Sequence, residues 1–116
     1  MAFGWDEAVA FALTLPGFTM GTGAKGSISP QVRGRQIISQ GSQQVTYVLR
    51  ATREEIEVLI ETDPDYFWQI PQYEGWPTVL ARGEAADPER MELLIERAWW
   101  DRASRAQRAA RGGARP

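Results

Sequence analysis

The chain has 116 residues, of which 43% are hydrophobic and 24% are charged, an ordinary composition for one globular domain that buries roughly two-thirds of its unfolded surface. It contains no cysteine, which excludes disulfides, thiolate nucleophiles and thiolate metal sites and is typical of a reducing cytoplasm. It also contains no histidine, the commonest general base and the commonest metal ligand. We therefore expect a cytoplasmic protein that is not an enzyme and that needs no metal ion or cofactor.

Charge is divided unevenly along the chain. Residues 1–96 carry seven Lys and Arg against 14 Asp and Glu, a net charge of −7. Residues 97–116 carry six arginines against Asp101 alone, a net charge of +5. A basic end on an acidic body can be an arm that binds another molecule or a segment that only improves solubility, and the second is the commoner explanation. No apolar run is long enough to cross a bilayer, so we expect no membrane partner.

The first predicted element is a helix over Trp5–Leu15, with apolar residues at helical spacing. Asp6 and Glu7 suit its positively polarised amino end and are unlike the basic start of a signal peptide. Pro16-Gly17 ends the helix. The Gly- and Thr-rich residues 18–26 predict a loop or an irregular edge strand.

An alternating pattern then predicts a three-stranded antiparallel meander. Its first strand covers Ile28–Val32, a turn covers Val32–Gln36, the second strand begins at Ile37-Ile38, and the third strand is Val45–Arg50. Pro30 cannot donate a backbone hydrogen bond, so the first strand is predicted to lie at a sheet edge or to be bulged.

A second helix follows the meander. Thr52 with Glu55 three residues later is a capping-box pattern, and Asp63-Pro64 ends the helix because the residue before a proline avoids the α conformation. Two further strands are predicted, an aromatic one over Tyr66–Ile70 and another over Pro77–Arg82.

The last helix begins at Asp87-Pro88, with Asp as N-cap and Pro at the first helical position. Arg102 lies on the same side of the helix as its apolar stripe, so either the core has ended there or this arginine has a carboxylate partner.

The order α-β-β-β-α-β-β-α predicts a two-layer α+β fold with helices on one antiparallel five-stranded sheet. We expect one domain over residues 1–111 and a flexible tail over residues 112–116. The apolar stripe of the last predicted helix, which packs that helix on the sheet, comprises Met91, Leu94, Ile95, Ala98 and Trp99.

This order and several motifs resemble the MmcQ/YjbR family over nearly the whole chain. The resemblance implies a fold similar to the CyaY-like or double-wing domains, and it implies DNA binding, the label that the family carries by structural analogy with a phage transcription factor. Gln31 stands where family members usually have a lysine. The matching segments are Trp5-Asp6-Glu7, Val32-Arg33-Gly34-Arg35, Leu49-Arg50, Asp63-Pro64, Tyr66-Phe67, QIPQYEGWP at residues 69–77, and Ala98-Trp99.

Arginines are the candidate phosphate contacts, although isolated solvated arginines are the default alternative. From Arg102 to Arg111 they recur every third residue, so on one continuous α-helix each is rotated by about 60° from the last. Such a spread suits non-specific attraction to phosphates better than readout of bases. The candidates are Arg33, Arg35, Arg50, Arg82, Arg102, Arg105 and Arg108.

A second candidate site is an aromatic cleft, although large rings between sheet and helix are more often core. Neighbouring residues of a strand point to opposite faces, so Phe67 and Trp68 cannot both be core. Trp68 and Trp100 are the aromatic residues that we most expect at a surface site. The candidates are Trp68, Tyr73, Trp76, Trp99 and Trp100.

The sequence therefore predicts a non-catalytic binding module whose partner is DNA, held by non-specific phosphate contacts. The alternative is a protein-interaction or chaperone-like adaptor that uses an exposed aromatic sheet face. A third hypothesis is a small-molecule pocket between helix and sheet, lined by Trp68, Trp76 and Trp99. We find no nucleophile–base–orienter set and hence no catalytic residue. Glu57 and Glu61 are four apart but indicate a solvated helix face rather than a metal site.

Overall fold

A computed structural model describes residues 4–22, 28–40, 47–69, 77–82 and 87–116. The α+β class and the antiparallel strand pairing predicted from the sequence are confirmed. In the described part of the chain, no helix is both long and apolar enough to cross a membrane. The elements are α1 (Trp5–Ala12), β1 (Phe18–Thr22), β2 (Ile28–Val32), β3 (Arg35–Gln36), β4 (Ile38–Gln40), β5 (Tyr47–Arg50), α2 (Arg53–Thr62), β6 (Phe67–Trp68), β7 (Thr78–Ala81), α3 (Pro88–Arg102) and α4 (Arg105–Ala110).

The prediction of one five-stranded sheet is wrong. The strands form a three-stranded sheet in the order β1-β2-β3 and a four-stranded sheet in the order β4-β5-β7-β6. Ile37 separates β3 from β4 and is buried, and its carbonyl accepts the Arg50 backbone N–H at 3.0 Å. One extended segment thus leaves the first sheet and enters the second at a single residue. Strands that change sheet in this way join two packed sheets at a corner.

The β2–β3 hairpin turns at Arg33-Gly34, a shorter turn than the predicted Val32–Gln36. Both residues have positive φ, 54° for Arg33 and 74° for Gly34, as the tight two-residue hairpin turn requires. The predicted edge position of Pro30 is wrong, because β2 lies between β1 and β3. Proline is tolerated there because β3 pairs only with Gln31 and Val32.

The helix starts follow their sequence signals. Thr52 caps α2, with the Glu55 backbone N–H donating to its Oγ1 at 3.2 Å, and the Asp87 side chain accepts the Glu89 backbone N–H at 3.2 Å at the start of α3. The first helix ends at Ala12, before the predicted Leu15, in turns that lead to Pro16.

One face of the four-stranded sheet forms the floor of the core; we call it the inner face. Two rows of directly paired residues cross it, and all of their side chains are buried. Trp99 of α3 is 0% exposed, and its indole N–H donates to the Pro16 carbonyl at 2.7 Å. Burial of so much aromatic and aliphatic surface is the main stabilising contribution in this fold. The rows are Ile38–Leu49–Val79 and Tyr47–Ala81–Phe67.

The basic end of the chain does not continue α3. Ala103 adopts an extended conformation, and Ser104 then starts the short helix α4 with a complete capping box to Gln107. The predicted element order therefore lacked α4, β3 and β1, although an irregular edge strand was one of the two alternatives predicted for residues 18–26. The 60° rotation expected between successive arginines does not apply from Arg102 to Arg105, because the helix is interrupted there, but it still applies from Arg105 to Arg108 within α4.

Candidate functional site

The face of the four-stranded sheet opposite the inner face carries the candidate site; we call it the outer face. Cross-strand pairing places Ser39, Val48, Leu80 and Trp68 in one row across it, and Arg50 directly opposite Thr78 in the next row. In antiparallel sheets, residues directly opposite each other share a face and lie close together. Within the described strands, no Asp or Glu occupies this face.

Arg50 is the last residue of β5 and forms a wall common to two recesses. The first recess has a volume of about 200 Å³ and lies between the end of the sheet and the carboxyl end of α3, with Pro77, Asp101 and Arg102 among its lining residues. The second has a volume of about 170 Å³ and is lined in part by Ser39 and Thr78.

Two of the predicted phosphate-contacting arginines, Arg50 and Arg102, line the first recess together, and the charge of exposed Arg35 also acts on Arg50. Partial burial of Arg50 lowers the pKa of its guanidinium, and the positive charges of Arg102 and then Arg35 lower that pKa further. The Arg50 guanidinium nevertheless stays protonated at any physiological pH. In the described part of the chain none of the three arginines forms an ion pair with a carboxylate.

Two polar atoms at this position lack partners. Arg102 Nε and Thr78 Oγ1 are buried, and neither makes a hydrogen bond within the described residues. Neither alternative predicted for Arg102 holds, since no described carboxylate pairs with it and the next residue, Ala103, still belongs to the buried core. A buried donor without a partner costs about 1–3 kcal/mol, so these atoms are suited to a ligand that accepts hydrogen bonds.

Asp101 is the carboxylate that lines the first recess, and it is already paired. Arg115 donates to it from Nε at 3.1 Å and from Nη2 at 3.2 Å, and Arg115 also contacts Glu55 on α2. These bonds raise the pKa of Arg115 further above its ordinary value. Asp101 is thus paired with Arg115 and with neither Arg50 nor Arg102 among the described ion pairs.

The other candidate arginines are dispersed. Arg33 and Arg105 are exposed, in the hairpin turn and on α4. Arg82 lies over the Trp68 ring at 5.4 Å from its centroid, and Arg108 lies over Trp100 at 5.1 Å. These cation–π contacts hold each guanidinium against a ring, and Arg108 Nε also donates to the Trp100 carbonyl at 2.9 Å.

The basic tail is likewise held by internal contacts. Arg111 donates to Glu96 from Nε at 3.1 Å and from Nη2 at 3.3 Å, and Arg97 Nε donates to the Pro116 carbonyl at 3.0 Å. Tail arginines that pair with acids of the body contribute little to an external phosphate-binding arm.

The aromatic candidates do not form one cleft in the described part of the chain. Phe67 is 1% exposed on the inner face while Trp68 is half-buried on the outer face, which confirms that only one of this pair is core. Trp99 is core, and half-buried Trp100 meets its edge with ring centroids 6.3 Å apart. Trp68 and Trp99 lie on opposite sides of the sheet and cannot line one pocket between helix and sheet. The predicted positions Tyr73 and Trp76 lie outside the described residues.

Thr78 was missed by the sequence analysis, as was the part that Asp101 and Arg115 play. Alternation along β7 indicates which face Thr78 occupies, but its position opposite Arg50 follows only from the pairing of β5 with β7. The described residues contain no group of His, Cys, Asp or Glu that could hold a metal ion. Guanidinium and hydroxyl donors that have no counter-ion among the described residues are chemically suited to bind an oxyanion.

No family model, curated protein or solved structure matches this chain. The resemblance to the MmcQ/YjbR family therefore stays a prediction from the residues that carry it.

Proposed function

We propose that the protein is a non-catalytic binding module, similar to MmcQ/YjbR proteins, that contacts the phosphates of DNA through Arg35, Arg50 and Arg102. The observation that carries the proposal is that Arg50 and Arg102 line one recess, with the charge of exposed Arg35 near enough to lower the Arg50 pKa, and that none of the three has an ion-pairing carboxylate among the described residues. Bringing like charges together is unfavourable, so an external anion stabilises the arrangement. The net charge of −7 over residues 1–96 opposes a broad contact and favours a local one.

The number of phosphates neutralised sets the expected salt dependence. Three contacts predict a slope of about −2.7 for the logarithm of affinity against the logarithm of salt concentration, hence a loss of about 40-fold between 50 and 200 mM salt. Removal of Arg50 as one contact reduces the slope to about −1.8 and the loss to about 12-fold.

Fluorescence anisotropy with a random-sequence duplex at these salt concentrations tests the proposal. We expect Arg50→Gln to weaken binding and flatten the slope, whereas Arg53→Gln, which removes an exposed arginine at the start of α2, leaves both unchanged. Absence of binding at low salt, affinity insensitive to salt, or equal behaviour of the two variants would each refute it.

One observation favours the protein-interaction alternative, at a different place from the predicted aromatic sheet face. A groove of about 240 Å³ runs between α2 and α3, where Val58 is 53% exposed and Leu93 is 37% exposed. Arg90 and Arg97 also line it. Exposed apolar side chains rimmed by charges are typical of contact surfaces between proteins. Retention of DNA binding by Val58→Ser with Leu93→Ser would separate this surface from the arginine site.

A further inference from the structure

We propose that the first recess, between Arg50 and Arg102, holds a phosphate monoester, so that the module recognises the phosphorylated end of a DNA strand in preference to internal phosphodiesters. This inference rests on the proposed phosphate-binding function and specifies which phosphate the site takes. Size, charge and the available hydrogen-bond donors support it independently.

The size of the recess suits one charged group. Its volume of about 200 Å³ lies below the roughly 300–1,000 Å³ of pockets that enclose a drug-sized ligand. An internal diester carries a substituent on both sides and needs an open groove. A monoester has one substituent and can enter a recess with its free oxygens first.

The charge of the site also suits a monoester. A phosphate monoester carries about −1.5 to −2 at pH 7 and offers three acceptor oxygens, whereas a diester carries a single negative charge. Arg50 and Arg102 both line the recess, and Arg35 adds positive potential. Two guanidinium groups therefore balance one monoester and exceed the charge of one diester.

The two buried polar atoms that have no hydrogen-bond partner among the described residues indicate how the ligand is oriented. Arg102 lines the first recess and Thr78 lines the second, and neither Arg102 Nε nor Thr78 Oγ1, both buried, makes a hydrogen bond within the described residues. The hydroxyl of Ser39 also lines the second recess. We place the phosphoryl group beside Arg50 and Arg102 in the first recess, with the attached deoxyribose, whose oxygens only accept hydrogen bonds, on the side of Thr78. Asp101 does not compete for the two arginines because Arg115 holds its carboxylate.

The test compares one labelled duplex with and without 5′-phosphates at fixed ionic strength, using the full chain. We expect the phosphorylated duplex to bind at least about tenfold more tightly, since one charge-assisted hydrogen bond usually contributes that much. Arg50→Gln and Arg102→Gln should abolish the preference, Thr78→Val should reduce it, and Arg53→Gln should retain it. Circular dichroism establishes that each variant is folded. If an arginine variant fails to fold, Thr78→Val, which keeps the shape of the side chain, still tests the site.

The outcomes separate the inference from the proposed function. Equal binding of the two duplexes, with both depending on Arg50, would overturn the monoester site while leaving the diester contact in place. Failure of both duplexes to bind would overturn the monoester site and the proposed function together. Inorganic phosphate that binds as tightly as the phosphorylated duplex would show a site for free phosphate and would overturn recognition of strand ends.

Discussion

Replacement of Trp99 by Phe probes the packing of α3 on which the arginine site depends. Trp99 is 0% exposed, and its indole N–H donates at 2.7 Å to the carbonyl of Pro16, 83 residues away along the chain. The variant removes this hydrogen bond, which costs about 1 kcal/mol because Pro16 is only half-buried and water can reach its carbonyl. It also removes part of a buried ring, which lowers the free energy of unfolding by about 2 kcal/mol more at roughly 0.8 kcal/mol per buried carbon.

The expected total of about 3 kcal/mol corresponds to a fall in melting temperature of about 12 °C for a chain of 116 residues. Urea unfolding should give the same loss in the free energy of unfolding, with an unchanged slope of that free energy against urea concentration. Trp100→Phe is the matched control: Trp100 is half-buried and stacked by Arg108, so we expect a loss of about 1 kcal/mol. A loss below about 1 kcal/mol for Trp99→Phe, or equal losses for the two variants, would refute the reasoning.

Three further outcomes follow from the two sheet faces and the arginine site. Phe67→Ala should lower the free energy of unfolding by about 3–5 kcal/mol, and Trp68→Ala by less than half of that, because only Phe67 points into the core. Chemical unfolding measures both values, and equal losses would contradict the assignment of faces. Arg50→Gln should leave the free energy of unfolding unchanged or raise it by up to about 0.5 kcal/mol. The variant removes a partly buried cation that is repelled by Arg102 and has no described ion-pair partner. A loss above about 1 kcal/mol would indicate a structural role for Arg50 instead. Affinity for a 5′-phosphorylated duplex should rise between pH 5 and pH 7, because the second ionisation of a phosphate monoester lies near pH 6 and the arginines keep their charge throughout; an affinity independent of pH would argue for a diester.

Local signals predicted the parts of the fold whose causes lie within a few residues. The bounds of α2 follow from the Thr52 cap and from Asp63-Pro64, and the opposite orientations of Phe67 and Trp68 follow from strand alternation alone. The two sheets were not predictable in the same way. The apolar pair Ile37-Ile38 was predicted to start one strand, whereas the change of sheet at Ile37 depends on which strands β3 and β4 pair with, a long-range property.

The candidate site combines residues that no local pattern connects. Arg50 and Arg102 were both identified as possible phosphate contacts, but their proximity depends on how α3 docks against the end of β5. The basic tail was predicted from composition as a solubilising end or as an arm. Its contacts with Glu55 and Asp101 are long-range and depend on the break between α3 and α4, which no glycine or proline marks.

Nuclear magnetic resonance of the arginine Nε–Hε groups tests the arginine site most directly. A titration with a short 5′-phosphorylated duplex should move the signals of Arg50 and Arg102, because these guanidinium groups line the recess and Arg102 Nε has no described partner. The signal of exposed Arg53 should stay in place. Movement of Arg53 and Arg105 with Arg50 and Arg102 unchanged would place the phosphate elsewhere on the molecule and would contradict the proposed site.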